Sequence, residues 1–214
     1  MKQFSNQNRI SRIGEVLRRK QPDLQIMLDD VQSSQNLSAI IRSCDAAGVL
    51  NLYYTAICND TLKVNKTITQ GAHRWLRRKY IATDDKVTFV SQKKAEGYQV
   101  VVTHLDENAV SFRSMDYIKP TLLIMGNEKE GVSDELLAMA DYKIIIPMQG
   151  MVQSLNVSVA SALILYEAQR QREAKGMYDT PLLDPQELSQ IKEAWLYRDI
   201  IARRSKGKIK LPEE

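Results

Sequence analysis

Three stretches of the chain combine polar side chains with turn-forming residues in ways that could support chemistry. The first is Asn36-Leu37-Ser38-Ala39-Ile40-Ile41-Arg42. On a helix, Leu37, Ile40, Ile41 and Cys44 share the apolar face, which leaves Ser38, Arg42 and Asp45 on the other side. An exposed Arg42 pairing with Asp45 at i,i+3 would contribute only a few tenths of a kcal/mol. Beside a ligand, its planar fork would instead hold a phosphate.

The second stretch is Gly126-Asn127-Glu128-Lys129-Glu130-Gly131, directly after the apolar run ending at Met125. Glycines at both ends let the backbone turn sharply and approach a ligand. It is not a phosphate-binding P-loop, because Val132-Ser133 stands where Lys followed by Ser or Thr is needed. Nor is it the dinucleotide fingerprint. A charged surface turn would account for the same residues, but the position after an apolar strand favours function.

The third runs from Ile146-Pro147-Met148 to Ser154-Leu155-Asn156-Val157-Ser158. Its pattern is a strand stopped by proline, a mildly polar loop and a helix over residues 155–172 with Ser154 as its cap. Leu155, Val157, Val159, Ala160, Ala162, Leu163, Leu165 and Tyr166 make that helix apolar nearly all round. It is therefore expected to be buried on more than one side, by the sheet and by another segment or a second subunit. Asn156, just inside it, is a weak helix former and so a candidate functional side chain.

The elements that must position these stretches alternate along the chain. The pattern predicts helices over residues 9–19, 37–47, 86–96 and 185–204. The helix over 37–47 is capped from Ser33, Ser34, Gln35 or Asn36 and stopped by Gly48. Strands are expected over residues 24–28, 51–56, 74–81, 98–105, 121–125 and 143–146. Apolar strands alternating with helices predict an α/β fold with a mainly parallel sheet covered on both faces. Ligands gather beyond the carboxyl ends of such strands, and all three stretches fall at such ends or on the helix just after one. The expected division is a basic helical extension (1–22), a main domain (23–175) and a basic helical tail (176–214).

The composition narrows the function. Hydrophobic residues are 43% and charged residues 26% of the 214, as in ordinary globular proteins. The net charge of +4 is unevenly spread. Within residues 1–20 Lys2, Arg9, Arg12, Arg18, Arg19 and Lys20 face only Glu15, and within residues 198–210 Arg198, Arg203, Arg204, Lys206, Lys208 and Lys210 face only Asp199. Arg74, Arg77, Arg78 and Lys79 form a third cluster. Such clusters can neutralise the phosphates of a nucleic acid, though solvated helix faces have the same composition. Cys44, Cys58, His73 and His104 lack the spacing of zinc or iron ligands, so no metal is expected. Two cysteines suit a reducing compartment, and the expected location is the cytoplasm. No apolar run long enough to span a membrane occurs, nor a secretory h-region at the N-terminus.

Together the three stretches resemble the SPOUT superfamily of methyltransferases, specifically its TrmH-type tRNA (guanosine-2′-O-)-methyltransferases. Order and spacing both match, and residues 150–172 are especially similar to the TrmH subgroup. The resemblance covers about residues 20 to 180. It implies a Rossmann-like parallel sheet with a trefoil knot towards its C-terminal end, plus short helical extensions at both ends. It also implies S-adenosylmethionine as methyl donor, held near Thr103, Gly126, Ile146 and Leu155, and a homodimer formed through this region. The implied substrate is the ribose 2′-oxygen of the guanosine at position 18 in the tRNA D-loop. The flanking extensions would hold the tRNA, which nominates Arg9, Arg12, Arg18, Arg19, Lys20, Arg203, Arg204 and Lys206.

The family's catalytic position corresponds to Arg42, with Asn36 positioning nearby and Glu128, Ser154 and Asn156 completing the site. A guanidinium carries only donors and no acceptor. Arg42 is therefore read as a group that binds the phosphate beside the target ribose and lowers the cost of oxyanion charge, the alternative being a base whose protonation the substrate phosphate first changes. Two other readings compete. One is a SPOUT enzyme acting on rRNA or on another tRNA nucleotide, and the other is a non-catalytic RNA-binding module.

Overall fold

In the computed structural model, which describes residues 7–56 and 63–206, helices and strands follow the apolar pattern of the chain. In chain order the elements are α1 (Gln7–Arg18), β1 (Leu24–Leu28), α2 (Ser34–Ala46), β2 (Asn51–Tyr54), α3 (Lys66–Thr69) and β3 (Arg77–Tyr80). Then come α4 (Lys86–Ala95), β4 (Gln99–Thr103), β5 (Val110–Ser111), β6 (Thr121–Met125), α5 (Asp134–Ala138), β7 (Tyr142–Ile145), α6 (Val157–Ala174) and α7 (Pro185–Ser205). The chain divides into two compact units, Pro22–Lys175 and a smaller one drawn from Met1–Gln21 and Gly176–Glu214.

The larger unit is a seven-stranded sheet in the order β3-β2-β1-β6-β4-β7-β5. Every strand pairing in it is parallel. Side chains alternate across it as the pleat requires. Leu24, Ile26, Leu28, Val101, Leu123 and Met125 join one core with Leu37, Ile40 and Ile41 of α2 and Ile164, Leu165 and Ala168 of α6. Met27, Val100, Val102, Leu122 and Ile124 join the other with Phe89 and Val90 of α4 and Leu136 of α5. Both faces are covered, as the continuous apolar strands predict.

Several boundaries depart from the sequence expectation, each for a local reason. Helix α2 begins at Ser34 rather than Leu37, because its cap is the first of the four candidates, Ser33, whose Oγ accepts from Asn36 N; Gly48, with φ 83°, follows its end as expected. Ser38 is not on a solvent face. It is fully buried, and its Oγ accepts from Asn65 N at 2.8 Å. The extended run expected at 74–81 begins only at Arg77, because residues 72–74 form a single 3₁₀ turn. The two-residue β5 carries too little periodicity to be legible. Helix α6 is capped by Asn156 and starts at Val157, so Ser154 is not its cap. Within a single chain one of its sides is covered. Val157, Ile164, Leu165 and Ala168 are buried, while Val159, Leu163 and Tyr166 are exposed.

Arg172, near the end of α6, is fully buried within the larger unit. It donates to Asp23 at 2.6 Å and to the carbonyls of Tyr117 (2.8 Å) and Lys119 (3.2 Å). In the smaller unit α1 packs on α7. Asp184 caps α7 by accepting from Gln186 N and Glu187 N, with Pro185 opening the helix. Part of the basic character expected at the chain ends is used internally. Arg9 pairs with Asp199 at 3.1 Å, Arg12 with Glu15 at 3.5 Å, and Lys20 is buried with its Nζ 5.9 Å from the Trp195 ring centre. Lys20 is therefore not an exposed RNA-facing cation. Arg18, Arg19, Arg204 and Lys206 are exposed, and Arg203 is half-buried. Lys2, Lys208 and Lys210 lie outside the described residues, as does Cys58.

Candidate active site

The neighbouring strands β1 and β6 send the chain in opposite directions. From β1 the chain crosses to β2 on one side, and from β6 it crosses past β4 to β7 on the other. The crevice beyond the carboxyl ends of β1 and β6 is thus the switch point where open α/β sheets bind ligands. The segments leaving both strands are tied there by Asp29 N donating to Met125 O at 2.8 Å.

The 126–131 loop is a pinned turn. Asn127 and Gly131 exchange backbone hydrogen bonds of 3.0 and 3.2 Å. Asn127 Oδ1 accepts from Lys129 N at 2.8 Å and Glu130 N at 2.7 Å. A Cβ at Gly126 would collide with the backbone of Gly131 and Val132, so no other residue fits without the turn opening. Gly126 and Asn127 are explained by this geometry, and the turn leaves Glu128, Lys129 and Glu130 exposed.

Beneath the loop lies an anchor that sequence reasoning missed. Buried Asp29 accepts from Ser133 N at 2.8 Å, and Lys86 donates to Ser133 Oγ at 2.9 Å. Lys86 Nζ also lies 3.5 Å from Asp29 and 3.1 Å from Glu135. Burial pulls the Lys86 ammonium down, but Glu135 and Asp29 outweigh it and hold its pKa above the usual lysine value. The available signal was two consecutive aspartates, Asp29 and Asp30, closing an apolar strand.

Three distant segments meet above this anchor. Asn36 Nδ2 donates to Glu128 Oε1, and Asn36 Oδ1 accepts from Asn156 Nδ2 at 3.1 Å. Asn156 Oδ1 in turn accepts from Ser158 N at 2.8 Å and from Ser158 Oγ at 2.6 Å. Asn156 therefore has the structural reason that the sequence did not show, since it caps α6 with its oxygen. Its nitrogen remains free to reach Asn36. Ser154 lies exposed on the loop before the cap, outside this chain of bonds. Arg42 is exposed on α2, six positions beyond Asn36, with Nη1 donating to Ile68 O at 3.5 Å.

The other predicted positions fall at neighbouring strand ends. Thr103 ends β4, Gly126 follows β6 and Ile146 follows β7, and β4 sits between those two strands. Leu155 directly precedes the Asn156 cap. Three adjacent strand ends and a glycine where no Cβ fits offer mainly backbone groups to a ligand. Among the described residues, no group of three or more His, Cys, Asp or Glu could hold a metal ion, and no helix is long and apolar enough to cross a membrane.

The comparisons with known proteins agree with this geometry. Residues 23–166 match the model of the SpoU rRNA Methylase family. The chain is 48% identical over 200 residues to a tRNA (guanosine(18)-2′-O)-methyltransferase of Aquifex aeolicus (strain VF5), covering 94% of each protein. The crystal structure of an A. aeolicus TrmH/SpoU tRNA modifying enzyme superposes with a TM-score of 0.85 at 48% identity, over 90% of this chain and 96% of that one. An AdoMet-bound rRNA methyltransferase from Sinorhizobium meliloti superposes with a TM-score of 0.63 at 32% identity, over 73% of this chain and 59% of that one.

Proposed function

The chain belongs to the SpoU rRNA methylase family, and from that membership we propose that it methylates the ribose 2′-oxygen of guanosine 18 in tRNA. The observation that carries this reading is the Asn36–Glu128–Asn156 chain of hydrogen bonds, assembled at the switch point of the sheet. The tRNA-methylating relative matches along nearly the whole of both proteins. The rRNA enzyme matches over only part of its own chain, which favours tRNA as the substrate.

S-adenosylmethionine, when bound, supplies an electrophilic sulfonium methyl group. Thr103, Gly126, Ile146 and Leu155 would hold it at the ends of β4, β6 and β7. Methyl transfer needs the 2′-hydroxyl aligned with that methyl and its proton released to water, and alignment alone can lower the barrier by several kcal/mol. Arg42 binds the phosphate beside the target ribose and stabilises charge developing on its oxygen. Asn36, locked by Glu128 on one side and Asn156 on the other, orients the ribose. Ser154, on the exposed loop, is assigned no step.

Two features of the fold extend this reading. Val159, Leu163 and Tyr166 lie at i, i+4 and i+7 on the exposed side of α6. A second copy of the chain would cover this face, making the enzyme a homodimer. Leu163→Asp is expected to give monomers in sedimentation, and an unchanged mass would remove α6 from the interface. Family membership implies the second, the trefoil knot of the SPOUT fold towards the C-terminal end of the larger unit. The site of action is the cytoplasm, where its tRNA substrate resides.

The decisive experiment maps methylated ribose in RNA from cells with and without the protein, alongside methyl transfer to tRNA transcripts in vitro. Loss of the mark at guanosine 18, and no transfer to transcripts lacking that guanosine, is the expected result. A mark lost from rRNA instead would establish the rRNA reading.

A further inference from the structure

We propose that residues 63–80 form a phosphate-binding tract that holds the RNA backbone next to Arg42. The proposal rests on the RNA-methylating reading above and adds where the RNA lies. Ser34, Ser38 and Arg42 recur every four residues on α2, so they form one stripe along the helix. Each fastens the same segment: Ser34 Oγ accepts from Lys63 N at 3.0 Å, Ser38 Oγ accepts from Asn65 N at 2.8 Å, and Arg42 donates to Ile68 O at 3.5 Å. The helix that carries Asn36 and Arg42 is thereby laced to the segment that follows.

That segment is strongly cationic. Residues 63–80 contain Lys63, Lys66, Arg74, Arg77, Arg78 and Lys79, and no aspartate or glutamate. Lys63, Lys66, Arg78 and Lys79 are exposed, and among the described residues none of the four pairs with a carboxylate. At the chain ends Arg9 and Lys20 are committed within the protein, while Arg18, Arg19, Arg204 and Lys206 stay exposed.

The cations also converge. His73 Nδ1 lies 2.7 Å from Thr69 Oγ1. Burial first, and then Arg78, Arg74 and Lys66, hold its imidazole below the usual histidine pKa. Three cations, from α3, the 72–74 turn and β3, thus act on one ring. Arg74 is steadied there by its stacking on Trp75, 5.3 Å from the ring centre.

A competing account is that lysines and arginines on the edge strand β3 merely discourage pairing with other chains. It covers Arg77, Arg78 and Lys79. It does not explain Lys63 and Lys66, which lie off the sheet, or the lacing of their segment to α2. An RNA backbone would answer the concentrated positive charge, each contacted phosphate releasing counterions.

The test is the triple variant Lys66→Gln, Arg78→Gln and Lys79→Gln, all exposed and outside the donor site. Binding of labelled tRNA across a salt series would be measured together with S-adenosylmethionine binding and methyl transfer. Three lost phosphate contacts should make the plot of log affinity against log salt shallower by about 2 to 3. KM for tRNA should rise with donor affinity unchanged. An unaltered slope in a variant that still binds the donor would overturn the tract. So would an equal flattening from Arg113→Gln, Lys119→Gln and Lys175→Gln, exposed cations outside the tract and the chain ends, since any three cations would then serve. If the unmodified protein binds tRNA with a slope the variant flattens, yet transfers no methyl group, the tract stands and the proposed activity falls.

Discussion

The side-chain amide of Asn156 donates to the side-chain oxygen of Asn36 at 3.1 Å, joining residues 120 positions apart. One amide has two duties, because its oxygen caps α6 at Ser158 N while its nitrogen holds Asn36. Asn36 in turn holds Glu128. The helix cap and the site geometry are therefore coupled, and substitution can separate them.

Asn156→Asp keeps the capping oxygen and loses the donor. Asn36 could flip its amide to face the new carboxylate, but it would then present an oxygen to Glu128. The variant should keep its thermal stability while methyl transfer falls at least about tenfold, equivalent to ~1.4 kcal/mol of barrier. Asn156→Ala should lose activity and also about 1 kcal/mol of stability through the missing cap. A fully active Asn156→Asp protein would show that only capping matters at this position.

Arg42 is exposed and makes a single long bond to Ile68 O, so its removal should barely touch stability. Arg42→Ala is expected to retain S-adenosylmethionine affinity while methyl transfer drops by orders of magnitude. Arg42→Lys keeps the charge but loses the planar fork, so it should recover only part of the rate. Single-turnover kinetics beside donor titration would check this, and retained turnover in Arg42→Ala would remove Arg42 from the mechanism.

Gly126→Ala tests the loop itself. The added methyl has no room against Gly131 and Val132, whose backbone cannot swing aside as a side chain would. Overpacking of this kind costs about 1 to 3 kcal/mol. Because Gly126 follows β6 beside the end of β4, donor affinity should fall together with melting temperature. A variant with normal stability and normal donor affinity would contradict the pinned turn.

How far the sequence reaches is seen in particular residues. Leu24–Leu28 and Thr121–Met125 are strands from end to end, because continuous apolar runs admit few alternatives in a two-faced sheet. The convergence of Asn36, Glu128 and Asn156 was anticipated only through family resemblance, since their contacts depend on which strands become neighbours. Asn156 as cap was missed because Ser154, two positions earlier, satisfies the same local preference. Ser38 was misjudged because a hydroxyl on the polar side of a helix suggests solvent, whereas its partner here comes from residue 65. Asp29 and Lys86 were invisible as a pair, being 57 positions apart and joined only by the fold. The exposed stripe of α6 was legible as apolar excess but not as a single uncovered face.

His73 makes the fold sensitive to acid. The His73 imidazole is held below its usual pKa by burial and by Arg78, Arg74 and Lys66. The unfolded chain therefore takes up this proton at a higher pH than the folded protein. Stability from the neutral ring is fully present above the ordinary histidine pKa of 6.5 and is lost as pH falls through the lowered folded value. Thermal unfolding between about pH 7.5 and 5 should show the protein losing stability on acidification more steeply than His73→Gln. Parallel curves for the two proteins would exclude His73 as the group responsible. Phosphate placed on the tract would stabilise the imidazolium, so NMR titration of the ring should show its pKa rising when tRNA is added. A ring titration unmoved by bound tRNA would place the RNA backbone away from Lys66, Arg74 and Arg78.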